Sequence, residues 1–379
     1  MRTLRKIAFL LDEFTTASPA QQLLDRFLIG YPHDGVLRKL EGTQISAYLA
    51  VSVEPNFGER PKEFHLEIAP TVEEAVADAD AVVIVSRRPG AQANEAFLTI
   101  ALELAPEGAA CFVHGALANG LASARNFAAT ASARRIALLA GTPLSVTWRL
   151  PPVELPVGTP LTEALIVVQV SPQAMQATPP SPPATLAGAE LHALEGFLPV
   201  IERRRGNESG IRNVRFLEGK ELWRAGQKGL WSWPLLAAAL SRSHTLQGDP
   251  VLDGRTQDLA GLGLVPKLAR NPRGWLLEHR DGLRSTILVL DGVVADFNFA
   301  VRAQNGQILS AQLFRAPPPA EHHFSRLAAV MEEFFRSGKP PWPIERNLLI
   351  AGLLEIFGKP SSLSGRRVET AELGFAYSR

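Results

Sequence analysis

Between residues 6 and 144 the sequence alternates between two periodicities, and that alternation constrains the fold more than any other feature. Apolar runs of strand length occur at 6–11, 44–53, 81–86, 109–113 and 135–139, and helical periods at 19–29, 72–77, 93–104 and 121–132 lie between several of them. Strands that are apolar on both faces must be covered on both faces, which a parallel sheet with helices above and below provides. Ser18 and Pro19 predict the first helix start: the hydroxyl accepts from a first-turn N–H that has no helical partner, and proline has no N–H to lose there. Thr71 and Glu74 have capping-box spacing for the next helix. Residues 1–147 read as an α/β domain of this kind.

After residue 148 the grammar changes. The stretch 148–156 carries three prolines without periodicity and reads as a crossover. A strand at 165–170, a Pro/Ala/Ser-rich loop at 171–187 and a helix at about 189–204 follow. Strand candidates at 274–279, 285–290, 293–301 and 307–314 then come in close succession, with Asp281-Gly282, Asp291-Gly292 and Asn305-Gly306 as turns between them. Helices near 321–336 and 344–357 and a last strand near 367–377 complete an α+β domain, 148–379, with an open, mainly antiparallel sheet.

At 379 residues two cores are expected. The 39 basic and 38 acidic residues nearly cancel and form no long block of one sign, which speaks against a nucleic-acid partner. Arg203, Arg204 and Arg205 fall at the end of the helix predicted to finish near 204, where cations complement the helix dipole. The single cysteine, Cys111, excludes an internal disulfide and reads as an inert core thiol. Asp12 and Glu13 end the first apolar run too early for a signal peptide, and no stretch is long enough to span a bilayer, so a cytoplasmic location is expected.

The order of elements resembles the glucose–fructose oxidoreductase / inositol dehydrogenase family (Gfo/Idh/MocA), in which a Rossmann-like domain precedes a substrate domain. Leu191-His-Ala-Leu-Glu195 is similar to the family's H-x-x-D segment, Gly365-Arg-Arg-Val-Glu369 to its C-terminal ending, and Gly30-Tyr-Pro-His-Asp-Gly35 to a segment of a divergent branch. The resemblance implies NAD or NADP as cofactor, a sugar or polyol as substrate, and a homo-oligomer. It also implies His192 as the base that takes a hydroxyl proton.

Three departures set this chain apart. The family's G-x-G-x-x-G loop, whose backbone N–H groups approach a pyrophosphate, is replaced by Leu10-Leu-Asp-Glu-Phe-Thr-Thr-Ala-Ser18, without glycine and with two carboxylates. The ribose-binding carboxylate at the end of the second strand has only Glu54 as a substitute. Where the family carries E-K-P, this chain reads Val113-His-Gly-Ala-Leu117, so His114 or Gly115 stands in place of the lysine, and Gly188 replaces an aspartate.

The candidate site therefore comprises Asp12, Thr15, Ser18, Glu54, Arg87, Arg88 and His114 on the strand rim for a cofactor held in a non-standard manner, and His192 with Glu195 for acid–base work. Arg87 and Arg88 could clamp a phosphate or pair with Asp12 and Glu13. Glu202 shares the helix face of His192. His322 and His323 read as a capping or solvent-facing pair, and Trp223, Trp231 and Trp233 as packing residues or a sugar platform. Three functions stay open: an oxidoreductase with an altered cofactor site, a non-catalytic ligand-binding or scaffold homologue, and a non-redox lyase or isomerase.

Overall fold

A computed structural model of the protein describes residues 3–52, 55–86, 92–169, 187–246, 258–360, 363 and 365–378. The chain forms two compact units. One comprises Met1–Val146 with Arg315–Ala351, the other Thr147–Phe314 with Gly352–Arg379.

In the first unit the chain runs through β1 (Lys6–Phe14), α1 (Pro19–Ile29), a hairpin of β2 (Tyr31–His33) and β3 (Val36–Arg38), and β4 (Gln44–Ser52). It continues through α2 (Arg60–Phe64), β5 (Glu67–Ile68), α3 (Val72–Val76), β6 (Ala81–Val85), α4 (Gln92–Leu104), β7 (Ala110–His114), α5 (Leu121–Ala133) and β8 (Ala137–Gly141). The sheet order β5-β4-β1-β6-β7-β8, all parallel, is the doubly wound order with its switch point between β1 and β6. Both predicted caps form: Ser18 accepts from Gln21 N–H and Thr71 from Glu74 N–H.

The second unit holds β9 (Arg149–Leu150), β10 (Leu161–Val168), α6 (Ala187–Ile201), β11 (Ile211–Glu218), α7 (Gly219–Gln227), α8 (Trp233–Leu240) and α9 (Val265–Leu268). After these come β12 (Arg270–His279), β13 (Arg284–Asp291), β14 (Phe297–Ala303) and β15 (Ile308–Leu313). The chain then gives α10 (His323–Ser337) to the first unit, passes through α11 (Ile344–Phe357), and ends beyond β16 (Arg367–Glu369). The sheet order is β16-β11-β12-β13-β10-β14-β15-β9, antiparallel except for the pair β10–β13. It stays open at its edges. Leu222, Trp231, Leu235 and Leu236 from α7, α8 and the turn between them pack on Leu165, Val167, Leu288 and Ala300. The other face meets α6 through His192 on Phe297 and through Glu190 on Arg273.

Three sequence expectations change here. Asp291-Gly292 does not turn a hairpin, because β10 lies between β13 and β14 in the sheet and pairs with both. The span 148–379 is not one domain, because Arg315–Ala351 folds with the first unit: Phe335 lies 6.0 Å from Phe27, whose other side meets Phe9 at 5.6 Å. The expected last strand, 367–377, is shorter, since the chain turns into a short 3-10 helix at Ala371–Leu373.

Candidate functional site

In a doubly wound sheet the ligand crevice opens beyond the carboxyl ends of the strands flanking the switch point. In this chain β1 overruns that point. Its pairing with β6 ends at Leu11↔Val85, but its pairing with β4 continues to Phe14↔Ser52. Where the fold usually makes its tight turn, the strand carries on and delivers Phe14 into the core. Phe14 is fully buried, 5.1 Å from the Phe57 ring, with the Arg60 guanidinium 4.6 Å above it. Arg60 in turn makes a two-pronged ion pair with Asp25 of α1, both contacts at 2.7 Å. Its guanidinium stays charged, since the hydrogen bond to Asp25 raises its pKa more than burial lowers it.

The turn into α1 is closed on itself. Ser18 Oγ accepts from both Thr15 N–H and Gln21 N–H at 3.3 Å, and Gln21 Oε1 accepts from Ala17 N–H at 2.6 Å. Gln22 N–H is in the helical bond to Ser18 O, and Pro19 has no N–H. A pyrophosphate at a helix start depends on backbone N–H groups directed at it. Here four of them already serve the chain itself. Asp12 and Glu13, half-buried at the end of β1, add a second obstacle: unit charges about 4 Å apart repel by roughly 1 kcal/mol in water and about 4 at an effective dielectric near 20. The residues present do not fit a dinucleotide pyrophosphate in the manner of this fold.

His114 ends β7. Its ring is 2 % exposed, lies 6.2 Å from the Phe324 ring at 25°, and has no hydrogen-bond partner on either nitrogen among the described residues. Burial pushes its pKa down to about 4, so the ring is neutral at pH 7. A lysine ammonium in that stacked, unpaired setting would carry the full desolvation cost of a charge. Glu54, Arg87 and Arg88 lie outside the described residues.

In the second unit, His192 and Glu195 sit three positions apart on α6, which places them on neighbouring turns of one helix. His192 is half-buried with its ring edge-on to Phe297 at 6.0 Å, and Glu195 is 1 % exposed. Glu202 lies past the helix end and accepts from Tyr377 Oη at 3.2 Å, a packing role. Of the histidine pair at the start of α10, His322 is exposed and His323 buried. Trp231 is buried and donates to Leu222 O at 2.9 Å, which assigns it to packing. Trp223 and Trp233 stack on one another at 5.9 Å and 25°.

One cluster escaped the sequence reading. Arg204 is buried rather than capping α6: it bonds Glu208 at 3.0 Å and Asp281 at 2.6 Å. Glu208 also meets His279 Nδ1, and His279 Nε2 meets Ser285 Oγ, each at 2.9 Å. Serine, histidine and carboxylate in that order have the connectivity of a nucleophile, base and orienting group. Ser285 is 1 % exposed and paired inside β13, so a substrate carbonyl has no approach to it. The cluster is structural. The short spacing of Arg204 and Glu208 was the only signal in the sequence; Asp281 and His279 are distant along the chain.

Among solved structures the chain is similar to a probable dehydrogenase from Thermotoga maritima (12% identity, 97% of this chain and 99% of that one, TM-score 0.58). It is also similar to GenD2 from gentamicin A biosynthesis in complex with NAD (14%, 98% of each chain, 0.57). A third is myo-inositol dehydrogenase from Lactobacillus casei in complex with NAD(H) and myo-inositol (14%, 97% of each, 0.56). No family model matches the chain, and no curated protein matches it in sequence. The fold is that of the Gfo/Idh/MocA-type dehydrogenases, in agreement with the resemblance read from the sequence. Among the described residues, no helix is long and apolar enough to cross a membrane.

Proposed function

We propose that this chain keeps the architecture of the sugar and polyol dehydrogenases without their dinucleotide redox step. It is a ligand-binding or non-redox acid–base homologue whose small-molecule ligand belongs to the sugar or polyol class, with His192 and Glu195 as the pair that handles a hydroxyl proton. The self-closed start of α1, where Ser18 and Gln21 take the N–H groups a pyrophosphate needs, carries this reading. The test is a titration of the purified protein with NADH and NADPH, followed by nicotinamide fluorescence and by thermal shift. Neither dinucleotide should change either signal at millimolar concentration. Saturable binding in the micromolar range, about −8 kcal/mol, would overturn the reading.

A second reading has its own support. Two of the solved structures of the same fold, GenD2 and the Lactobacillus casei myo-inositol dehydrogenase, are complexes with NAD or NAD(H). If this chain is an NAD(P)-dependent oxidoreductase with a non-standard cofactor site, the cofactor residues expected from the sequence are Asp12, Thr15, Ser18, Glu54, Arg87, Arg88 and His114, and the expected base is His192. His192→Ala would then leave dinucleotide affinity nearly unchanged and abolish turnover of the active polyol.

A further inference from the structure

The segment Gly30-Tyr-Pro-His-Asp-Gly35 has no part in the strand rim, yet the first unit builds it with care. Gly30 has φ +108°, and a Cβ there would stand 2.7 Å from Arg38 O, so only glycine lets the chain leave α1 against β3. Asp34 and Gly35, both at positive φ, form the two-residue turn of the β2–β3 hairpin. Tyr31 is buried and donates its phenol to Glu332 at 2.9 Å, and Arg336 holds the same carboxylate at 3.0 Å. The hairpin is thereby fastened to α10.

Between this hairpin, α10 and the loop that follows it lies a cavity of about 620 Å³. That volume is in the range of small-molecule sites. Its floor is apolar, from Ala329, Val330 and Phe334. Its walls carry Arg38, Arg326 and Lys339 with His33, against Asp34 and Glu333. Asp34 is in contact with His33, at 3.2 Å. His33 titrates below an ordinary histidine: burial comes first, Asp34 and Glu332 oppose it, and both Arg38 and Arg326 reinforce it. Three cationic side chains thus line the same cavity as an apolar patch, one of them, Arg326, fixed by donating its Nε–H to Val146 O at 2.7 Å.

We propose that this cavity binds a small organic anion, a phosphate- or carboxylate-bearing molecule with an apolar body. The anionic group lies toward Arg38, Arg326 and Lys339, and the body rests on Val330 and Phe334. The site shares no residue with the strand rim, so it stands whether or not a dinucleotide binds there.

Calorimetric titration of the full chain with phenyl phosphate tests this, with benzyl alcohol and inorganic phosphate as controls for body and charge. Phenyl phosphate should bind at least about tenfold more tightly than either control. Arg38→Gln combined with Lys339→Gln should weaken it by about tenfold or more without lowering the melting temperature. Val330→Trp, which fills the floor, should abolish it. Benzoate in place of phenyl phosphate reports which anion is preferred, and binding of either above the benzyl alcohol level supports the site. Binding of both phenyl phosphate and benzoate no tighter than benzyl alcohol, or undiminished binding by the Arg38/Lys339 variant, would overturn the proposal. Should the double variant melt early, Lys339→Gln alone, at an exposed loop position, makes the same comparison.

Discussion

His114 ends β7 with its ring in the core, stacked on Phe324 and titrating at about 4 because burial disfavours the imidazolium. The sign of the resulting pH dependence follows from linkage. The unfolded chain protonates this histidine near pH 6.5 and the folded chain near 4, so between those values the unfolded state binds the extra proton. Stability from this residue is complete above about pH 6.5 and falls as the pH drops toward 4. The difference between 6.5 and about 4 corresponds to on the order of 3 kcal/mol. His114→Leu should remove this limb: urea unfolding at pH 5 and pH 7.5 should give the variant a smaller difference between the two midpoints than the wild type. The position of His114 at the end of an apolar run was legible in the sequence. Its stacking partner was not, because Phe324 follows more than 200 residues later and no local pattern connects them.

At the scale of elements, buried charged side chains join segments whose patterns alone do not pair them. Arg26 of α1 is 9 % exposed and directs its guanidinium entirely at neutral acceptors: Ser325 Oγ, Gln22 O and Oε1, Ala320 O and Glu321 O. Arg26→Met would orphan several of those carbonyls, each at about 1–3 kcal/mol. In the second unit, Glu208 joins the end of α6 to β12. Burial alone would raise its pKa, but His279 and Arg204 outweigh burial and hold it well below the ordinary 4.5. Its contribution is present above pH 4.5 and is lost as the pH falls further, a window below that of His114. Glu208→Gln should cost about 3–5 kcal/mol at pH 7, because it leaves Arg204 buried with half its partners. Thermal melts from pH 7 to pH 3 should show the deficit shrinking below pH 4.5, where the unfolded wild-type chain takes up a proton at Glu208 that the folded chain does not. Elements themselves were readable: the Ser18 and Thr71 caps and the hairpin turns at Asp281-Gly282 and Asn305-Gly306 follow from local chemistry, whereas Asp291-Gly292 leads out of β13 to a strand that pairs with β10 instead. The overrun of β1 was not, since Asp12-Glu13-Phe14 reads as a strand end until Phe57 and Arg60 are seen to close over it.

At the scale of the whole chain, the first unit is assembled from two stretches, Met1–Val146 and Arg315–Ala351. Alternating periodicity locates the sheet but is silent about which core a later helix joins, and the 321–336 pattern fits either one. The choice lies in its apolar face. Leu327, Met331, Phe334 and Phe335 are each at most 1 % exposed and belong to one cluster with Phe9, Leu23 and Phe27. Burial of each is worth roughly 1.5–3 kcal/mol, so together they supply at least about 6 kcal/mol, comparable to the whole net stability of a domain. A single cut after residue 146 therefore cannot release a stable first unit. The fragment 1–146 should show exposed apolar surface by dye binding and no cooperative thermal transition. The same fragment joined by a short Gly/Ser linker to residues 315–351 should recover a cooperative melt. A cooperative transition in 1–146 alone would mean that α10 is an accessory and that the buried polar bonds of Arg26, rather than the phenylalanine face, keep it in place.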